Sequence, residues 1–516
     1  MFRKILHIVL EVIFIFTSVL FAQDIDTGVK LINFEKYTNA NKYFSSMLNT
    51  DSRAEAFYYL GEIYLIMNKP DSAKICFENG IESKNEFPLN YAGLVKINLI
   101  DGNLSEAYKN QAIAIDLGNN KNSDVYIALS EAYSKIGYYD KAIDLLNTAQ
   151  NAELTDKIIY LTLGKTYLSR LNGSEAIKDF DLVLKMDPVN VEALSLKAKV
   201  YFLINNYNEA ITLLNNAITI DPAYPKVYKE LSDVYSILKD YSKAAEYYSK
   251  YIDASEVTIE KQKEYASLLY LNKEYEKAIS ILMGLIKVEP ENSTAIRILA
   301  YSYLRNEQYD CSKYFFKELF ALHLGDYLSS DYENYAELLS QSGNDSLAIE
   351  YLDKIIQLDS TRKDILGKIS VINFKDKNWY GVISALERKG ELTAQEFFDL
   401  GKAYYFLQDY SKADSAFNQL SLRIPDLTIA YFWQARVKAN FDPESELGLA
   451  RPFYEKFISL SGEDTVKYKK ELIEAYSYMG YYFYLAKDNN RSKSFWQKVY
   501  ALDPQNVQAI EALKKL

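Results

Sequence analysis

Apolar and polar positions along residues 123–292 recur with a period of 34. Ala142, Ala176, Ala210, Ala244 and Ala278 stand at that spacing. Counted from the first residue of each period, alanine falls at position 20 and a large apolar residue at position 24; Pro188, Pro222 and Pro290 fall at position 32. Each period holds two apolar stripes at helical spacing, separated near position 15 by residues such as Gly137, Asn172 and Asn205. Two stripes broken by a turn predict two antiparallel helices. Small residues at positions 8 and 20 are expected to let the two helix backbones approach, while positions 24 and 27 pack on the next period. A lone pair cannot bury both of its faces, so neighbours must share a core.

The register extends in both directions. Residues 54–87 carry Phe57, Leu60, Gly61, Tyr64, Ala73, Phe77 and Gly80, and residues 88–121 keep Tyr91, Leu94, Ala107 and Ala114. Residues 54–292 therefore read as the regular array, with Ala40 and Phe44 marking a degenerate first unit at 23–53. From 293 to 393 the pattern diverges, with Ser312 in the alanine slot, Ala348 restoring it, and Val382 in its place beside Trp379. Residues 394–506 recover it through Leu400, Gly401, Tyr404, Ala413, Phe417 and Pro425, with a longer turn at 440–446. Residues 507–516 read as a capping helix. This pattern resembles the tetratricopeptide repeat (TPR) over nearly the whole chain after residue 22. The resemblance implies an all-α fold, a right-handed superhelical solenoid of about fourteen antiparallel helix pairs in which each unit touches only its neighbours.

A repeat array grows by addition, so 516 residues predict one extended domain rather than three or four globular ones. Arg3 and Lys4, the apolar run 5–21 and the small Ala22 before Gln23 predict an export signal at 1–22. No lipid-acceptor cysteine follows it, and no stable membrane span is expected after its removal. The formal charge of −11 argues against nucleic acid as a general partner. Cys76 and Cys311 lie in distant repeats and are not expected to meet.

Chemistry has little to work with. Beyond the predicted signal the chain keeps one histidine, His323, which removes the commonest general base and metal ligand. Gly164-Lys165-Thr166 echoes the end of a phosphate loop, but it falls within a predicted helix and lacks the preceding glycine. No catalytic residue, metal ligand or cofactor is expected. In the resembling family, positions 2, 5, 9 and 12 of the first helix face a concave groove. Lys165, Lys199, Lys226, Lys229, Lys263 and Arg297 occupy such positions and would form a basic stripe. Glu55, Glu62, Asp124 and Glu131 on one side, and Glu333 and Glu337 on the other, would make flanks of opposite sign. Tyr139, Tyr207, Tyr241, Tyr275, Tyr309 and Tyr410 fall at position 17, where the family places a turn aromatic. Tyr270, Tyr301, Tyr405, Tyr481 and Tyr484 fall toward the groove. The resemblance implies a non-enzymatic scaffold. The predicted signal, without a lipid-acceptor cysteine or further spans, places it in the bacterial envelope or periplasm. The basic stripe is expected to hold an acidic segment or a C-terminal carboxylate of a protein or peptide partner. The alternative is an accessory protein of polysaccharide export or envelope assembly that contacts glycan through the groove tyrosines.

Overall fold

A computed structural model describes residues 24–151, 156–323, 327–461 and 464–516. The export signal expected at 1–22 lies outside them. The described residues form fourteen helix pairs followed by a last helix, Val507–Lys515, which packs on Asn489–Leu502. Within the regular array the first helix of each pair fills positions 1–13 and the second begins at position 17, as in Lys157–Ser169 with Gly173–Met186 and Val191–Leu203 with Tyr207–Ile220.

Three residues make each turn of the regular array, and two of them have recurring tasks. Position 15 is left-handed in every pair of the array: Asn68 (φ 56), Gly102 (φ 73), Gly137 (φ 83), Leu171 (φ 63), Asn205 (φ 61), Lys239 (φ 61) and Lys273 (φ 64). In many pairs position 16 caps the second helix, the side chains of Asn103, Asn172, Asn206, Asp240, Asp409 and Asp488 each accepting a backbone N–H of the first turn, whereas Lys69, Glu274 and Gln308 make no such bond. Asn172, which the sequence suggested as a turn breaker, is therefore a cap, and exposed Leu171 takes the left-handed slot. The longer turn spans residues 442–450, where the buried Asp442 carboxylate accepts from the N–H groups of Leu447, Gly448 and Leu449.

The array divides into two compact units, one ending at Ser302 and the other beginning at Tyr303. In both, the position-20 residue has no exposed surface, whether alanine (Ala73, Ala176, Ala348, Ala413), Ser312 or Val382. The small residue at position 8 works differently from the expected backbone approach, because it seats the position-24 ring of its own pair. A Cβ on Gly61 would lie 2.3 Å from the Phe77 ring, and one on Gly164 would lie 2.4 Å from Phe180. Phe77 is also gripped from the next pair, where a Cβ on Gly93 would come within 2.4 Å of it.

One contact departs from the neighbour-only rule. In the first unit the array bends until the turn of the first hairpin, between helices Ile25–Asn33 and Tyr37–Ser46, reaches the end of Tyr241–Ala254 and the start of Ile259–Leu271. There Lys261 Nζ lies 2.8 Å from Glu35 Oε2, the Tyr251 hydroxyl donates to the same oxygen at 2.5 Å, and the Glu256 N–H donates to the Glu35 carbonyl at 3.2 Å. Thr38 donates to the Glu256 carboxylate through its N–H at 2.8 Å and through its hydroxyl. The Phe34 ring meets Tyr224 edge-on at 6.1 Å. Repeats far apart in sequence thus touch when the array completes a turn within one unit.

Candidate functional site

The inner positions converge on a cleft of about 300 Å³ beside helices Val191–Leu203 and Pro225–Ile237. Lys199, Lys226, Lys229, Glu230 and Asp233 line it, and Glu35 of the first hairpin contributes a wall. Three of the six sequence-predicted cations are therefore brought together. Lys229 is already engaged, with Asp233 at 2.6 Å and Glu264 at 3.0 Å. Lys199 and Lys226 have no ion-pair partner within 4 Å among the described residues.

The others lie elsewhere. Lys165 pairs with Glu192 at 2.7 Å; burial works against its ammonium, but Glu192 and Glu131 hold it above the ordinary lysine range. Lys263 and Arg297 follow on the next two first helices, Ile259–Leu271 and Ser293–Arg305, and neither lines the cleft. Tyr301 is buried, 8% exposed, and its ring lies 6.1 Å from half-buried Tyr270, which also meets Tyr275 at 5.7 Å. Gly164-Lys165-Thr166 lies inside helix Lys157–Ser169.

Two expectations about charge need correction. The basic stripe is interleaved with acids, since Glu192 and Asp233 occupy inner positions of the same helices and neutralise Lys165 and Lys229. Four of the six flanking acids are also paired. Lys96, only 6% exposed at its side chain, sits between Glu62 (2.7 Å) and Glu131 (3.6 Å). Glu333 takes both Arg362 (2.5 Å) and Lys368 (2.6 Å), and Glu337 takes Arg305 (2.7 Å). These charges are paired between neighbouring helices, whereas Lys199 and Lys226 make no ion pair within 4 Å among the described residues and act on Glu230, and Lys226 on Glu35, through charge alone.

The sequence reading missed the residues that tune this cleft. Burial pushes the Glu230 carboxyl up to about 7, opposed by the Ser195 hydroxyl, which donates to it at 2.7 Å, and by the charges of Lys199 and Lys226. Burial alone would raise Glu35 as well, but the bonds from Lys261 and Tyr251 and the charges of Lys261 and Lys226 hold it below the ordinary glutamate range. Glu230 sits at position 6, off the inner rows, and Glu35 comes from another repeat, so the register pointed to neither. In the second unit, the Lys402 ammonium lies over Phe374 (4.9 Å), Trp433 (5.3 Å) and Phe398 (5.4 Å), and burial, with Arg436 nearby, lowers its pKa. Exposed Tyr481 and Tyr484 line a separate pocket of about 450 Å³ with Tyr478, Trp496 and residues of the last helix.

Both cysteines are free, and no group of residues able to hold a metal ion occurs among the described residues. The arrangement offers ammonium groups for an anionic side chain rather than a paired nucleophile and base.

Known proteins give this geometry a context. The tetratricopeptide repeat model matches residues 54–87, 123–155 and 225–258, and a TPR repeat model matches 198–236. The C-terminal part of a TPR repeat-containing protein from Cytophaga hutchinsonii is 32% identical over 49% of this chain and 99% of its own, with a TM-score of 0.44. A tetratricopeptide repeat protein from Parabacteroides merdae is 21% identical over 48% of this chain and 98% of its own, with a TM-score of 0.33. No curated protein matches the chain. With its matched units spread from residue 54 to residue 258 and nearly one residue in three shared with the Cytophaga protein, the chain belongs to the tetratricopeptide repeat family.

Proposed function

We propose that this protein is a non-enzymatic scaffold of the bacterial envelope that binds an acidic segment or C-terminal carboxylate of a protein partner in its groove, at the cleft of Lys199 and Lys226. Membership of the TPR family supports the interaction role. The observation that carries the finer reading is the pair of lysines without ion-pair partners lining the 300 Å³ cleft. Lys165 and Lys229 are already held by Glu192, Asp233 and Glu264, so within the cleft a ligand carboxylate gains most at Lys199 and Lys226. The envelope assignment rests on Arg3, Lys4 and the apolar run 5–21. No helix among the described residues is long and apolar enough to cross a membrane. The test is capture from an envelope extract on immobilised protein, comparing wild type with Lys199→Glu/Lys226→Glu. Loss of specific partners is expected, and an unchanged set of captured proteins retires the cleft as the site.

A second reading has its own observation. Tyr481 and Tyr484, 42% and 51% exposed, line the pocket under the last helix together with Trp496, Gln508 and Glu511. Aromatic faces beside hydrogen-bonding groups suit a glycan. Titration with soluble envelope polysaccharide, followed by tyrosine and tryptophan fluorescence, separates the two readings.

A further inference from the structure

The contact between the first hairpin and the seventh and eighth helix pairs has the composition of a recognition event rather than of a packed core. Its centre is a carboxylate, Glu35, held by an ammonium, a phenol and the charge of Lys226; the backbone N–H of Glu256 takes the Glu35 carbonyl. Lys261 is further oriented by the Ser255 hydroxyl at 2.7 Å and lies 4.3 Å from the centre of the Tyr251 ring, so the cation is positioned from its own side of the contact. The preceding residue, Phe34, places its ring against Tyr224. The side chains of Lys261 and Glu35 are 12% and 17% exposed, whereas the Thr38 and Glu256 bonds at the rim are exposed. Such a contact can open from its edge. It also shares a wall with the cleft of Lys199 and Lys226.

We propose that Tyr224, Lys226, Tyr251, Lys261 and the Glu256 N–H form a docking site for a turn that presents an aromatic residue followed by an acidic one. Phe34 and Glu35 hold this site in cis, and a partner segment of the same chemistry binds by displacing the first hairpin. The inference rests on the reading above in taking this groove to receive protein segments; the two sites share Lys226 and the Glu35 wall, and Lys199 belongs to the cleft alone. A cis occupant lowers the apparent affinity for a partner by the fraction of time it leaves the site free.

The experiment uses the full chain and a fluorescent peptide of residues 30–42 of its own sequence. Opening the site with Phe34→Ala/Glu35→Ala is expected to tighten peptide binding, read by anisotropy, by about tenfold or more over wild type. The peptide carrying Gln in place of its Glu is expected to lose that gain. The milder Glu35→Gln keeps the side-chain shape should the double variant lose helix content by circular dichroism, and is expected to speed hydrogen exchange at the Glu256 amide. Equal or absent peptide binding in opened and wild-type chains overturns the proposal, as does unchanged exchange in Glu35→Gln, and the contact is then a structural staple only. Lys199→Glu in the opened chain should leave peptide binding intact. Failure of the cleft reading shows instead in partner capture that Lys199→Glu alone does not alter, because Lys199 lies outside the docking site.

Discussion

Gly164 shows what a single position contributes. Its missing Cβ is the space in which the fully buried Phe180 ring sits, so Gly164→Ala must displace a ring with nowhere to go. A loss of about 1 to 3 kcal/mol is expected in urea or thermal unfolding. Ala176→Leu, at a position with no exposed surface, is expected to cost a similar amount. Positions 20 and 24 were legible in the sequence because burial there is periodic. The pairing of glycine at 8 with an aromatic at 24 was also written there, in Gly61 with Phe77 and Gly401 with Phe417, but periodicity alone does not say which atoms meet. Glu230 gives a pH prediction. The folded chain holds this proton up to about pH 7, while the unfolded chain releases it near 4.5. Between those values the folded form binds more protons, so stability falls as pH rises through the window. Glu230→Gln is expected to flatten that slope in melts taken from pH 4.5 to 7.5.

Helices and turns follow from a short local code. A left-handed residue at position 15 and an Asn or Asp at position 16 end one helix and cap the next, and position 17 opens it with Tyr207, Tyr241 or Tyr275. Asn206→Ala removes a cap and is expected to lower stability by about 1 kcal/mol, with faster hydrogen exchange confined to the first turn of Tyr207–Ile220. The left-handed slot was hard to read because Leu171, Lys239 and Glu307 fill it with side chains that do not announce it. The candidate site was half legible at this scale. Inner positions found Lys199, Lys226 and Lys229, and the same positions applied to acids would have found Glu192 and Asp233, which pair with Lys165 and Lys229.

At the scale of the molecule, a register of 34 encodes only what each unit does to the next. It carries no signal for Glu35 meeting Lys261, because that contact depends on small rotations accumulated over the intervening repeats. This separates two outcomes of one measurement. Phe44→Ala loosens the first hairpin at a fully buried ring. Were coupling limited to neighbours, faster exchange would stop at the helix Arg53–Ile66. With the contact in place, the Glu256 amide is expected to exchange faster too, as read by peptide-resolved mass spectrometry. Considered as mechanics, repeats joined only to their neighbours extend like a coil spring, each yielding a little under load. A turn of that spring stapled between Glu35 and Lys261 cannot lengthen until the staple parts. Tension applied across residues 24–261 meets a stiff element first and a soft one afterwards, and whatever draws the hairpin out changes the compliance of this unit along with its occupancy.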